Sequence, residues 1–155
     1  MREKPKQKMR IWAMLCHLSA LLGWILLCFL VFLGIPLYLP LNLLVPLLIW
    51  RFKKAQYPWI DFQGKESLNF QISLTLYTFI VIVISLILVL TSFSLAVTTN
   101  GAVNEIKTTL DSILIFLMSL ISLKLLLQSF VVTFAAIKAY NGEYYRYPFT
   151  IRVLR

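Results

Sequence analysis

Acidic residues are few in this chain, six against fifteen lysines and arginines, with a single histidine and two cysteines. Each shortage excludes something. One histidine cannot build a histidine-based metal centre, and His17 stands in no Ser/His/Asp or H-E-x-x-H pattern that would recruit it. Cys16 and Cys28 fall on one predicted helix, about 120° apart around its axis at ~100° per residue, so they neither bridge each other nor make a metal site. Both read as small apolar packing residues. The five glycines form no phosphate-binding loop and no G-x-S-x-G, and no two carboxylates share an apolar stretch. With no nucleophile, base and oxyanion donors assembled, the expectation is a protein that is not an enzyme and carries no cofactor.

What is abundant is apolar. Hydrophobic residues make up 60% of the chain and charged ones 14%, with a mean hydropathy of +0.84, too apolar for a soluble domain of 155 residues. Apolar runs at about 11–33, 35–52, 68–89 and 113–139 predict an all-α integral membrane protein with four transmembrane helices, at about 11–33, 36–52, 67–91 and 112–139. At ~1.5 Å per residue the first, third and fourth are long enough to cross a ~30 Å hydrocarbon layer. Pro36, Pro40 and Pro46, with Gly34, break the first apolar run, so the first helix should end near Gly34. The second helix is then short, ~20–25 Å, and is expected to span by thinning the bilayer. The whole of 1–155 reads as one transmembrane domain, with no polar connection long enough to hold a soluble catalytic domain.

The net charge of +9 is not scattered. Arg2, Lys4, Lys6, Lys8 and Arg10 precede the first run. Arg51, Lys53, Lys54 and Lys65 follow the second, and Lys138, Arg146, Arg152 and Arg155 close the fourth. Those are thirteen of fifteen basic residues, and four spans with both termini cytoplasmic place them all on one side, as the positive-inside rule requires. The basic N-terminus before an apolar run therefore reads as a retained signal-anchor. The partner implied by the charge is a bilayer with anionic headgroups at the cytoplasmic face, not nucleic acid. Trp50, Tyr57 and Trp59 flank a basic exit as interface anchors, and the aromatic, basic tail 140–155, with Gly142 as helix stop, should lie along the inner surface. In the third connection Asn100-Gly101 signals a turn, and Asn104 with Glu105 is expected to cap a helical lead-in to the fourth span.

Helix association in lipid relies on small residues and interhelical hydrogen bonds. On the fourth helix Ser112, Ser119, Ser122, Ser129 and Thr133 fall within about 100° of arc, which predicts a packing face. The third helix carries two polar edges, Asn69/Ser73/Tyr77 and Gln71/Thr75/Thr78, and should meet a neighbour on each side. Lys124 lies mid-span with Gln128 one turn on, at a cost of at least ~2.5–3.5 kcal/mol for a charge at that depth. It either snorkels or faces a polar cavity, a partner's carboxylate or a subunit interface. His17 reads as a hydrogen-bonded packing histidine. At the cytoplasmic rim Asp61 is expected to cap the turn into the third helix and to pair with Lys65 at i,i+4. With Glu66, Asn69 and Gln71, and with Lys138, Tyr145 and Arg146 returning from the fourth span, it forms either a polar vestibule or, more in keeping with rim charges, a clasp that seals the helix ends.

The block Pro46-Leu-Leu-Ile-Trp50, Lys53-Lys54, Pro58-Trp-Ile-Asp61, Gly64-Lys65-Glu66-Ser-Leu-Asn69-Phe-Gln71 resembles a family of small four-helix bacterial membrane proteins of unknown function. That family is related to the twenty-kilodalton Tic component of the chloroplast import translocon. Cys16-His-Leu-Ser-Ala-Leu-Leu-Gly-Trp24 and Ala136-Ile-Lys138 through Tyr145-Arg146-Tyr-Pro148 look like it too. The resemblance implies a multi-pass protein of a bacterial inner membrane with both ends cytoplasmic. By fold-level analogy it implies a Tic-like accessory to translocation or to another membrane complex, acting through a membrane-protein partner or as a homo-oligomer. The alternative is a small channel or carrier with a polar path past Lys124 and Gln128.

Overall fold

Proline and glycine mark several helix boundaries, although Pro46, Gly23 and Gly64 each lie inside a helix. The structure, a computed structural model, describes residues 5–34, 41–55, 57–98 and 103–154. They form α1 (Gln7–Phe32), α2 (Leu41–Lys53), α3 (Pro58–Thr98) and α4 (Val103–Tyr140), and no strand occurs among them. The expected start of the second helix near Pro36 or Pro40 and the Asn100-Gly101 turn lie outside the described residues. So do the side chains of Cys28, Asn104 and Glu105.

α1 ends at Phe32, and Gly34 follows with φ 73°, a left-handed conformation that glycine adopts without penalty. α4 ends in a Schellman arrangement. Gly142, at φ 80°, donates its N–H to Ala139 O at 3.1 Å, and Glu143 donates to Lys138 O at 2.9 Å. α3 starts on Pro58, whose missing N–H costs nothing in the first turn. The carbonyl of Tyr57 accepts from Ile60 and Asp61, so Asp61 lies inside the first turn rather than capping it, a correction to the sequence reading.

α3 and α4 are longer than their apolar runs. α3 begins at Pro58 rather than 67 and continues to Thr98, and α4 begins at Val103 rather than 112. At ~1.5 Å per residue each is roughly 60 Å long, about twice a hydrocarbon layer. Asn104 is therefore already helical, and the lead-in to the fourth span is part of α4. Three stretches, Gln7–Leu26, Pro58–Ser94 and Lys107–Tyr140, are long and apolar enough to cross a membrane. α2, at 13 residues, spans only ~20 Å.

The chain divides into two compact units, Met1–Leu74 with Ser129–Arg155, and Thr75–Gln128. In the first, α1 and α2 pack as an antiparallel hairpin. Ala13, Trp59 and Ala139 form one core cluster, and Phe70, Val132, Ala135 and Tyr147 another. Alanines at 13, 20, 135, 136 and 139 are all buried, which lets backbones approach closely.

The second unit is nearly all exposed apolar surface, from Leu76 to Phe93 on α3 and from Leu110 to Leu127 on α4. The predicted serine face is not covered by the described residues. Ser112, Ser119, Ser122 and Thr133 are exposed and Ser129 only partly buried. The hydroxyls of Ser112, Ser119 and Ser122 instead donate to carbonyls four residues back, at 2.8–2.9 Å. A hydroxyl that bonds its own helix has no need of a neighbour. Ser122→Leu is accordingly expected to leave thermal stability in detergent within about 0.5 kcal/mol of the parent. A clear drop in the melting temperature would restore that face to the interior of the fold.

Candidate functional site

The polar residues of the first unit converge on the ends of α1, α3 and α4 and on the tail that follows α4. His17 is fully buried on α1. Its Nε2 lies 2.9 Å from Gln63 Oε1 on α3, and its Nδ1 lies 2.8 Å from Tyr147 Oη in the tail. Gln63 Nε2 donates to the carbonyl of Glu143 at 3.0 Å, which leaves Oε1 as the acceptor for His17 Nε2–H. On a neutral ring Nδ1 then accepts, and Tyr147 donates. Burial, with Tyr145 and the Glu66 carboxylate nearby, holds the Tyr147 phenol well above its ordinary range, so it keeps the proton it gives to the histidine. The result is a directed relay, Tyr147 to His17 to Gln63 to Glu143, that leaves the tail and returns to it. The Tyr147 ring also stacks on Phe70 at 4.1 Å between centroids.

Beyond Tyr147 the tail runs without regular structure along α3. Asn69 Oδ1 accepts from the amides of Val153 (3.1 Å) and Leu154 (2.8 Å), and its Nδ2 donates to Leu154 O at 2.9 Å. One turn on, the Ser73 hydroxyl accepts from Ile151 N at 2.8 Å while donating to Asn69 O at 2.7 Å. Two α3 side chains thus supply partners that a sheet neighbour would otherwise provide. Ser67 donates to Cys16 O at 2.9 Å and joins α3 to α1, while Ser19, on α1 itself, donates to the same carbonyl at 3.0 Å.

The residues expected at the rim are all here, but with different partners rather than around one opening. Asp61 pairs with Lys65 at 2.7 Å, and its other oxygen accepts from Trp50 Nε1 of α2 at 2.9 Å. Gln71 Oε1 takes a long hydrogen bond of 3.4 Å from Asn42 of α2. The expectation of a neighbour on each side of α3 is met by the tail at Asn69 and Ser73 and by α2 at Gln71. Glu66 is buried with Oε1 3.5 Å from Arg152 Nε, and Oε2 has no hydrogen-bond partner among the described residues. Lys138 pairs with Glu143 across the end of α4 at 2.6 Å. Tyr145 meets Phe134 and Tyr147 edge-on, and Arg146 lies over Phe62 at 6.0 Å. In the second unit Gln128 is buried and Lys124 partly so.

Gln63, Glu143, Tyr147 and the Val153–Leu154 backbone escape the sequence reading. Gln63 carried a usable signal, since it lies between Asp61 and Glu66 on a stretch of α3 whose buried residues include the polar Glu66, Asn69 and Gln71. The tail backbone carried none.

The closed set of bonds over α1, α3 and the tail makes a match over the full length more informative than a local motif. The sequence model of the magnetosome magnetite crystal formation protein family matches residues 8–154. The chain belongs to that family. No curated protein and no solved structure matches it. Membership agrees with the expected small bacterial membrane family and with the three long apolar helices. The relation to the chloroplast Tic component gains no support from these comparisons.

Proposed function

We propose that the chain is a non-catalytic, four-span membrane protein with both ends cytoplasmic, acting laterally through other membrane proteins. α2 is the short fourth span, and the membrane is the inner membrane or one derived from it. The family's description extends the role to magnetite crystal formation, and a Tic-like accessory role in translocation is a narrower version of the same reading. What supports it is the contrast between the two units. In Met1–Leu74 with Ser129–Arg155 the polar groups are largely taken up by bonds within the chain. The Thr75–Gln128 unit leaves a stripe of small hydroxyl residues exposed on α4, where a partner's backbone can approach.

Direct iron contact is not part of the proposal. Asp61, Glu66 and Glu143 each face a basic side chain. The role in crystal formation that we assign to this chain is the organising of membrane proteins.

Two measurements test it. Reporter fusions at Lys4, Lys54 and Arg152 are expected to read cytoplasmic and one at Asn100 exterior, as the basic residues demand. A cytoplasmic Asn100 removes the four-span count. Photo-cross-linkers at Ser119 and Ser122 should capture a membrane protein, whereas those at Leu123 and Leu126 should give lipid adducts. Lipid adducts at all four positions would remove the partner reading.

A further inference from the structure

Between the basic ends of α1 and α2 lies a groove of about 500 Å³, lined by Trp12 of α1 and by Leu48, Ile49, Phe52 and Lys53 of α2. Its size is within the roughly 300–1,000 Å³ typical of ligand clefts. Its walls are apolar and open outward, with Phe52 71% and Leu48 51% exposed. Its mouth is cationic, because Lys53 Nζ is held 4.6 Å from the centroid of the Trp12 ring. Lys8 lies one turn before Trp12, on the same face of α1. Lys53 also occupies the last turn of α2, where the helix dipole favours a cation, so the charge is held in place rather than merely present.

The geometry points to a site for one anionic glycerophospholipid, with an acyl chain along Leu48, Ile49 and Phe52 and the phosphate at Lys53. Charge decides the class of ligand. Residues 1–60 contain eight lysines and arginines and one acidic residue, and the residues that line the groove include Lys53 and no carboxylate. Lipid tails are as apolar as the groove walls, so the groove fixes position while the headgroup charge supplies selectivity. Trp12 is placed as an interfacial aromatic at headgroup level. The neighbouring Lys54 does not share the site, for its ammonium turns to Trp50, 4.0 Å from that ring. The site is independent of the partner reading above, since it forms within the α1–α2 hairpin alone.

The test uses the full-length protein in a neutral detergent, with lipid retention read by native mass spectrometry and thermal shift. Dioleoylphosphatidylglycerol is expected to bind, and K53Q to weaken it about fivefold, the worth of one basic residue at a charged membrane surface. K54Q removes the same charge and should leave affinity unchanged. L48W, at a wall position that is half exposed, should displace the lipid by filling the groove. Dioleoylphosphatidylcholine should bind at least about fivefold more weakly than the anionic lipid. Equal losses in K53Q and K54Q would overturn the site in favour of diffuse surface charge. Equal binding of the two lipids, or unchanged binding in L48W, would overturn it as well. Stabilisation by glycerol 3-phosphate equal to that by the lipid would reassign Lys53 to a free phosphate.

Discussion

Gly23→Ala is expected to destabilise the detergent-solubilised protein by about 2–3 kcal/mol, and Gly23→Leu to prevent the α1–α2 hairpin from closing. A Cβ at Gly23 would stand 2.6 Å from Leu41 O and 2.8 Å from Asn42 Cα, both backbone atoms at the start of α2. A side chain in that position could rotate aside. A backbone cannot, so the helices must separate along their length. The separation would also stretch the already long Asn42–Gln71 bond between α2 and α3. Gly64 provides the contrast. A Cβ there collides with Trp50, whose ring can swing away at the expense of its bond to Asp61, so that only the Trp50 Cβ, 2.9 Å away and fixed to the α2 backbone, requires a helix shift. Gly64→Ala should therefore cost less than Gly23→Ala. Thermal unfolding of the two variants side by side settles the ranking, and a Gly23→Ala protein that melts with the parent would show that α1 and α2 do not approach this closely.

Asn69→Ala should release the end of the tail. It deletes one donor and one acceptor that together make three bonds to Val153 and Leu154, at a side chain 1% exposed. Losing three part-buried hydrogen bonds, each worth ~0.5–1.5 kcal/mol net, is comparable to the hold on so short a segment. Amide exchange at Ile151, Val153 and Leu154 is expected to accelerate by one to two orders of magnitude, about what ~2 kcal/mol implies, and proteolysis to trim the tail. Exchange at His17 and Gln63 should be little altered, because Tyr147 and Glu143 hold the earlier part of the tail independently. Unchanged protection at Leu154 would mean that the tail is held by other contacts.

The ends of α1 and α4 were legible because glycine acts locally. Gly34 and Gly142 each do what their backbone permits, wherever the rest of the chain goes. The Asp61–Lys65 pair was legible for the same reason, since both partners lie on one helix. His17 could be read as a packing residue from its isolation, but its partners are 46 and 130 positions away. The tail could not be read at all. Asn69 and Ser73 bond to its main chain, and main-chain groups are the same in every sequence. The serine face misled because regular spacing of hydroxyls looks the same whether they bond a neighbour or their own helix. The lengths of α3 and α4 were underestimated because helix and hydrocarbon span were treated as one. The polar turns 58–66 are helical through contacts with α1, α2 and the tail, not through burial in lipid.

The Tyr147–His17–Gln63–Glu143 relay has a consequence for the order of synthesis. Gln63 emerges from the ribosome early enough to meet His17 while the hairpin is forming, but Tyr147 and the Glu143 carbonyl come only after α4 is complete. Until then a fully inserted first helix presents an imidazole nitrogen with no lasting partner, and Asn69 and Ser73 likewise await the main chain of residues 151–154. Insertion and maturation are thus separate events, and the second is sealed by residues 143–154, which follow α4. A nascent chain stalled before Tyr147 would have α1 to α4 complete yet remain recognisable to membrane quality control by the polar groups it has not covered.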